Sequence, residues 1–352
     1  MRVALIASAR HPIAEPFAGG LEAHTWSLAH ALTRLGHHVE LFAAPGSDPA
    51  LGACELPVRT TEFSAAARAD ASMPSEVWMK EHHAYLGLML DLARDGEDRF
   101  DVVHNNSLHH LPVAMAPALR VPVVTTLHTP PTPWLESAIR SHDACPVTFT
   151  AVSRFTATSW QPTVPAAHVV RNGIDIDFWQ PGPGGDALAW SGRFVPEKAP
   201  HLAVLAARTA GVPLRLAGPI SDRRYFEERV APLLGQDAVY AGHLDRRQLG
   251  ELLGSSAAAL VTPGWDEPYG LVVAEALACG TPVCGFDRGA LAEILTPECG
   301  LLAPPGDVDA LAALIPRVME LDRRDARRRA EDFCCLGRTA DAYTRLYEEV
   351  MR

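Results

Sequence analysis

The sequence contains no unbroken apolar run approaching the ~20 residues that a membrane-spanning helix needs. Its N-terminus, MRVALIASARHPIAEP, reaches charged and proline residues after a short hydrophobic stretch. The chain therefore reads as cytoplasmic, with neither a signal peptide nor a membrane span. Cysteine is sparse and odd in number, seven in 352 residues with no C-x-x-C pair, which excludes a disulfide framework and a cysteine-based zinc site. Cys334 and Cys335, adjacent in sequence, read as reduced thiols. Positive charge is also short: the formal net charge is -11 and both halves of the chain are acidic. That argues against nucleic acid as a partner and against attachment to a membrane surface through a basic patch. The one basic run, RRDARRR over Arg323 to Arg329, reads as the solvated face of a helix.

Several chemical signatures are missing. There is no H-E-x-x-H, no G-x-G-x-x-G, and no D-x-D element at the end of a strand-like run. Among fifteen histidines the densest cluster is HNNSLHH, His104 to His110. No carboxylate spacing accompanies it, so these histidines read as rim or core residues and no metal site is expected.

What is present is an ordinary soluble composition, 48% hydrophobic and 21% charged. The length suits two domains of about 150 to 180 residues each. RVALIAS, GGLEAHTWSLAHALTRLG and HVELFAA read as strand, helix and strand, with Gly36 closing the helix. FDVVHNNS, VPVVTTLHT and VTFTAVS continue the series, and SEVWMKEHHAYLGLMLDLARDG is a long amphipathic helix. Strands alternating with helices imply a parallel sheet, whose ligands meet the carboxyl ends of the strands. Asn105, His128 and Ser153 stand at such ends. Pro181, Pro183 and two glycines form a linker, after which ALAWSGRF, PLRLAGP, AVYAGH, AALVTPG and TPVCGFD begin a second series. The fold class is α/β, with two doubly wound, Rossmann-like domains at 1–181 and 182–337. GRTADAYTRLYEEVMR forms a terminal helix, about 338–352, with one apolar face that needs a surface to cover.

Three loops carry candidate chemistry. In DEPYGLVVAEALACGTPVCG a helix begins near Gly270 at the carboxyl edge of the second sheet. Its unpaired amides, at Gly270, Leu271 and Val272, form an anion site that glycine leaves open to close approach. Glu275 lies inside the helix and suits hydroxyls rather than charge. In SGRFVPEKAP, Arg193 and Lys198 can aim two cations at one point, a fork and a point charge suited to a diphosphate. In PFAGGLEAH, Gly19 and Gly20 open a helix about ten residues after the first strand, too late for a dinucleotide fingerprint.

AGGLEAHTWSLAHALTRLGHHV, TLHT, RNGID, SGRFVPEKAP, LAGP and EPYGLVVAEALACGTPV, in this order, resemble the retaining GT-B glycosyltransferases of glycosyltransferase family 4. The resemblance runs from Arg2 to about Leu346, and its most specific element is E-x7-E at Glu267 and Glu275. It implies two domains facing across a cleft, the first for the acceptor and the second for a nucleotide-sugar donor, with the terminal helix packed back on the first. It implies that Arg193 and Lys198 hold the diphosphate and that Glu275 accepts the ribose hydroxyls. Glu267 would lie near the transferred sugar, and the amides of Gly270 to Val272 would add contacts. Gly218 of LAGP would belong to the donor site, Gly19 and Gly20 would close over the donor, and His128 would contact the sugar beside the scissile bond. Glu22, His104 and Asn106 are acceptor-side candidates. The acceptor, whether a small molecule, a glycan or a lipid-linked molecule, is expected to meet N-terminal loops such as Thr60 to Glu81.

The expected reaction is metal-independent hexosyl transfer with retention and without a cofactor, the leaving charge being met by cations and helix amides. The rivals are a nucleotide-sugar 2-epimerase built on a related cleft, an NAD-dependent dehydrogenase, and a sugar-nucleotide-binding protein without turnover.

Overall fold

The computed structural model describes residues 1–56, 63–72, 75–142 and 145–352. Part of the Thr60 to Glu81 segment therefore lies outside the described residues. The first sheet contains β1 (Arg2–Ile6), β2 (His38–Ala43), β3 (Ala53–Glu55), β4 (Val102–Asn105), β5 (Val123–Leu127), β6 (Val147–Ala151) and β7 (His168–Val169). These are hydrogen-bonded in the order β3-β2-β1-β4-β5-β6-β7, and every pairing is parallel. The second sheet contains β8 (Leu188–Ser191), β9 (Leu214–Ala217), β10 (Ala238–Tyr240), β11 (Ala258–Val261), β12 (Val283–Phe286) and β13 (Gly300–Ala303). Its order, β10-β9-β8-β11-β12-β13, is the doubly wound one in which the central strands diverge and leave a crevice at their carboxyl ends.

Alternation along the strands explains why both faces are covered. In β1, Ala4 and Ile6 join the core formed by Leu88, Met89 and Leu92 of the helix Glu76–Arg99. Val3 and Leu5 turn to the opposite face and meet Leu28 and Leu32 of the helix Gly20–Arg34. The second sheet is likewise enclosed by two apolar clusters. β3, β7 and β13 were not anticipated from the sequence. The first two are short and largely uncovered, so no apolar run marks them.

The last helix, Leu336–Val350, leaves the second sheet and packs on the first, burying Ala340, Tyr343, Leu346 and Tyr347. Polar atoms tie it there. The Tyr347 hydroxyl lies 2.6 Å from Nδ1 of His104, whose Nε2 lies 2.7 Å from the Thr126 hydroxyl. The Tyr343 hydroxyl lies 3.0 Å from the same threonine oxygen. His104 is fully buried, and burial pushes its pKa down to about 3.

The basic run at Arg323 to Arg329 is not a solvated face. Arg323 donates to the carbonyls of Ser256, Gly254 and Cys279. Arg327 reaches those of Trp179, Ala278 and Ile176, and Arg329 those of Ile294 and Glu293. A guanidinium carries five donors and satisfies the free carbonyls at helix and turn ends. Arg324 and Arg328 alone face outward, each against an aspartate.

Tyr347→Phe keeps the apolar face and leaves a buried ring nitrogen of His104 without its partner. It should cost about 1–3 kcal/mol, read as a lower urea midpoint. An unchanged midpoint would mean that the hydroxyl contributes nothing to docking the helix.

Candidate active site

The carboxyl ends of the two sheets face each other across a cleft with a cavity of about 320 Å³. Gly19, Gly20, His128, Arg193, Lys198, Gly218, Glu267, Gly270, Leu271, Val272 and Glu275 all line it. The three loops picked out in the sequence, around Gly19, Arg193 and Gly270, thus converge on one space.

Local geometry explains the residue types. Gly270 has φ 102° and precedes the helix Leu271–Ala278, a left-handed conformation that glycine adopts without a Cβ clash. The helix amides at its start consequently open into the cavity. Gly218, at φ 137°, crosses Gly192 so closely that a Cβ would lie 1.9 Å from the Gly192 carbonyl oxygen. Across the cleft, a Cβ on Gly20 would sit 3.3 Å from Leu271 and one on Gly19 3.7 Å from Arg193. The glycine pair thus lets the first domain approach the cation and the helix start of the second.

Lys198 forms an ion pair with Glu267 and lies 5.5 Å from the centre of the Trp265 ring. The Trp265 indole donates to the same carboxylate oxygen at 3.3 Å. Ala199 beside it holds φ 42°, uncommon for a residue with a Cβ. Its carbonyl and that of Lys198 both accept from the Thr262 hydroxyl at 3.1 Å, which fixes the direction in which Lys198 leaves the loop. Arg193 is exposed and faces the glycine pair. Glu275 is enclosed, and desolvation raises its carboxyl pKa to about 7.

A buried relay sets the state of His128. Thr25 donates to the Leu21 carbonyl at 2.8 Å, so its oxygen accepts from the Asn106 amide nitrogen at 3.2 Å. That orients the Asn106 carbonyl oxygen toward Nε2 of His128, 2.6 Å away. Nε2 therefore carries the proton and Nδ1 the lone pair. Burial, then neighbouring His24 and His104, hold the pKa of His128 well below its ordinary value. The ring is neutral at physiological pH, able to accept a hydroxyl hydrogen at Nδ1 and unable to serve as a cationic acid.

Three acceptor-side candidates are placed differently. His104 lies in the core beneath the terminal helix rather than in the cleft, because Tyr347 and Tyr343 cover it. Asn106 is fully buried and reaches the cavity only through His128. Glu22 is 5% exposed and folds back toward Gly19 in the first turn of its helix, where the dipole favours a carboxylate. Asn105 binds the turn at Ser107. Ser153 caps a helix and donates to the Pro268 carbonyl of the other domain at 2.6 Å. Several lining residues escaped sequence reasoning. His24 lies 5.5 Å from His128 between ring centres, with neither nitrogen hydrogen-bonded, and burial lowers its pKa to about 4. Arg246 lies 3.9 Å from the Phe178 ring centre and 4.8 Å from that of Trp26, and 3.4 Å from the Glu15 carboxylate. Arg246 gave no sequence signal because its partners come from three distant segments.

Residues 18–178 match the family described as Glycosyltransferase Family 4, and residues 179–332 match Glycosyl transferases group 1. The glycogen synthase of Mycobacterium tuberculosis is 30% identical, with 89% of this chain and 85% of that protein covered. The chain belongs to glycosyltransferase family 4. This glycosyltransferase is also 26% identical to the MMP alpha-(1->4)-mannosyltransferase of Mycolicibacterium hassiacum, over 100% of its own length and 98% of that protein. Its fold is GT-B. It superposes on Anabaena HepE, solved in complex with UDP-glucose, with a TM-score of 0.76 over 99% of this chain and 100% of that one, at 17% identity.

Among the described residues no helix is long and apolar enough to cross a membrane. No three His, Cys, Asp or Glu side chains among them are grouped to hold a metal ion.

Nitrogen NMR of the glycosyltransferase should show His128 as the neutral Nε2–H tautomer at pH 7 and still at pH 6. Thr25→Val should release that preference. A cationic ring at pH 6 would break the relay.

Proposed function

We propose that the glycosyltransferase moves a hexosyl group from a nucleoside-diphosphate sugar to an acceptor hydroxyl, in the cytoplasm, with retention at C1 and without a metal ion. The carrying observation is the convergence of Arg193, Lys198 and the amides at Leu271 and Val272 on the cavity that also holds Glu275. Two cations and a helix start suit a diphosphate, and an enclosed carboxylate suits the ribose hydroxyls. The structural neighbour crystallised with UDP-glucose supports a donor of this class. Gly19, Gly20 and Gly218 let backbone approach the donor, and Nδ1 of His128 accepts a hydroxyl of the transferred sugar. Residues 182–337 then form the donor domain and 1–181, with the terminal helix, the acceptor domain.

As C1 parts from the diphosphate oxygen, the growing phosphate charge meets Arg193, Lys198 and the helix amides, already oriented before reaction. The acceptor oxygen bonds to C1 from the side of the leaving group and passes its proton to the departing phosphate oxygen. Two observations favour this front-face path. Among the described residues lining the cavity, the only carboxylates are Glu267 and Glu275; Lys198 engages Glu267 and the ribose hydroxyls occupy Glu275 in this reading, which leaves neither as the nucleophile for a covalent intermediate. His128, with its depressed pKa, is a poor base for inversion.

With α-linked UDP- and GDP-hexoses and a sugar acceptor, proton NMR should show an α-linked product at the same rate with and without EDTA. A β-linked product overturns retention, and inactivation by EDTA overturns metal independence.

Glu275 supplies a pH signature. Its carboxyl pKa is raised to about 7, so the ligand-free site is protonated below that pH, while accepting both ribose hydroxyls requires the anion. The dissociation constant for UDP should therefore rise about tenfold from pH 8 to pH 6, and Glu275→Gln should flatten the dependence by calorimetry. A wild-type profile as flat as the variant's would remove Glu275 from the ribose.

A further inference from the structure

The loops that leave β4 and β5 deliver Leu108, His128 and Thr129 to the cleft and then run outward into a second array of rings. His109 and His110 directly follow Leu108, and Trp134 opens the helix Pro133–Arg140 beyond Thr129. The helix Glu76–Arg99 brings Trp78 and His82 alongside them. Trp78 stacks on His82 at 5.0 Å and 17°, and His110 on Trp134 at 5.0 Å and 25°. The two stacks meet, with His82 5.7 Å from His110 and Trp78 5.9 Å from Trp134. This surface is open: Trp134 is 58% exposed, and Leu108, which joins it to the cavity, is 45% exposed.

Among the described residues, the charged side chains beside these rings are engaged in pairs, Lys80 with Glu76 and Arg10 with Glu81. Burial, and after it the neighbouring histidines, lower the imidazole pKa values of His82, His109 and His110 and so disfavour their cations. Flat ring faces remain, edged by ring nitrogens such as those of His110. An anionic headgroup or a phosphorylated acceptor would find these cations already paired. A lipid chain would cover the ring faces and leave the nitrogens unsatisfied. A pyranose matches both features, with a face of C–H groups for the rings and hydroxyls around its rim for the nitrogens.

We propose that Trp78, His82, His110 and Trp134 form an acceptor subsite that stacks a sugar unit of a neutral glycan while another unit of the same glycan presents its hydroxyl in the cleft. This rests on the reading of the cleft as a glycosyl-transfer site and narrows the acceptor to a glycan. The subsite uses ring faces that a hexose can cover without altering the donor contacts, so acceptor and donor affinities are separable.

The test is titration of the full chain, without donor, against neutral gluco-, manno- and galacto-oligosaccharides by saturation-transfer NMR and tryptophan fluorescence. At least one of these should bind, about tenfold more weakly to Trp134→Ala and Trp134→Leu and nearly normally to Trp134→Phe, which keeps a ring face. UDP-glucose and GDP-mannose titrations on the same variants should be unchanged. No oligosaccharide binding, binding indifferent to Trp134, or full affinity in Trp134→Leu would each overturn the subsite. So would phosphatidylglycerol vesicles that bind in a Trp134-dependent way. Oligosaccharide binding in a chain that takes neither nucleotide sugar would leave the subsite standing and count against the donor reading instead.

Discussion

The chain crosses between the two sheets twice, and the crossings lie against each other. The Ile174 amide donates to the Cys334 carbonyl at 2.8 Å, and the Leu336 amide to the Ile174 carbonyl at 3.0 Å. The contact is so close that a Cβ on Gly173 would lie 2.5 Å from Cα of Leu336. Arg327 extends the same anchor by holding the carbonyls of Ile176 and Trp179. Further contacts bridge the domains nearer the site. Ser153 and Thr156 donate to the Pro268 carbonyl, and the Glu293 carboxylate caps the amides of Arg154 and Phe155. Pro268 separates Glu267 from the loop that starts the Leu271 helix, so the position of one domain is felt directly at the other's anion site.

Within this frame, desolvation decides which groups carry charge. His24 and His128 are uncharged because burial penalises the cation, and Glu275 is kept near neutrality by the same effect acting on an acid. Arg193, Lys198 and Arg246 are the cations that line the cavity from the second domain, against the single carboxylate of Glu267 that pairs with Lys198. An electropositive site amid neutral hydrogen-bonding groups favours a ligand with its negative charge in one place and hydroxyls elsewhere. That is the charge distribution of a nucleotide sugar in the proposed reaction.

The sequence disclosed this arrangement unevenly, and the reason is physical. Strands covered on both faces were legible because they are continuous apolar runs such as RVALIAS. β3 and β7 lie at the edge, lack that coverage and carry no such signal. The loop glycines and cations of the donor side were legible because each is a local device: an open helix start, a tight crossing, a cation on a short loop. His104 and His128 show the limit. Both stand at the carboxyl end of a strand in the same sheet, yet a helix some two hundred residues later covers one and leaves the other in the cleft. Strand position alone could not separate them. Arg323, Arg327 and Arg329 failed for the same reason, since the carbonyls they bind are distant in sequence. His24 sits within a regular helical pattern and looked like any other helix residue.

Lysine itself is rare in this chain. Among its 31 basic residues only Lys80 and Lys198 are lysine, and one of these is placed in the cleft against Glu267. A guanidinium there could form a planar, bidentate pair with the carboxylate and commit its fork to that partner. An ammonium has three donors in a tetrahedral arrangement. It can keep Glu267 with one and still turn the others toward an incoming diphosphate. The ion pair then has two uses in the proposed reaction: it keeps the cation oriented before the donor arrives, and it leaves donor capacity for the charge that develops as the C1–oxygen bond breaks. A side chain held by a single contact can act this way, whereas one saturated by two cannot.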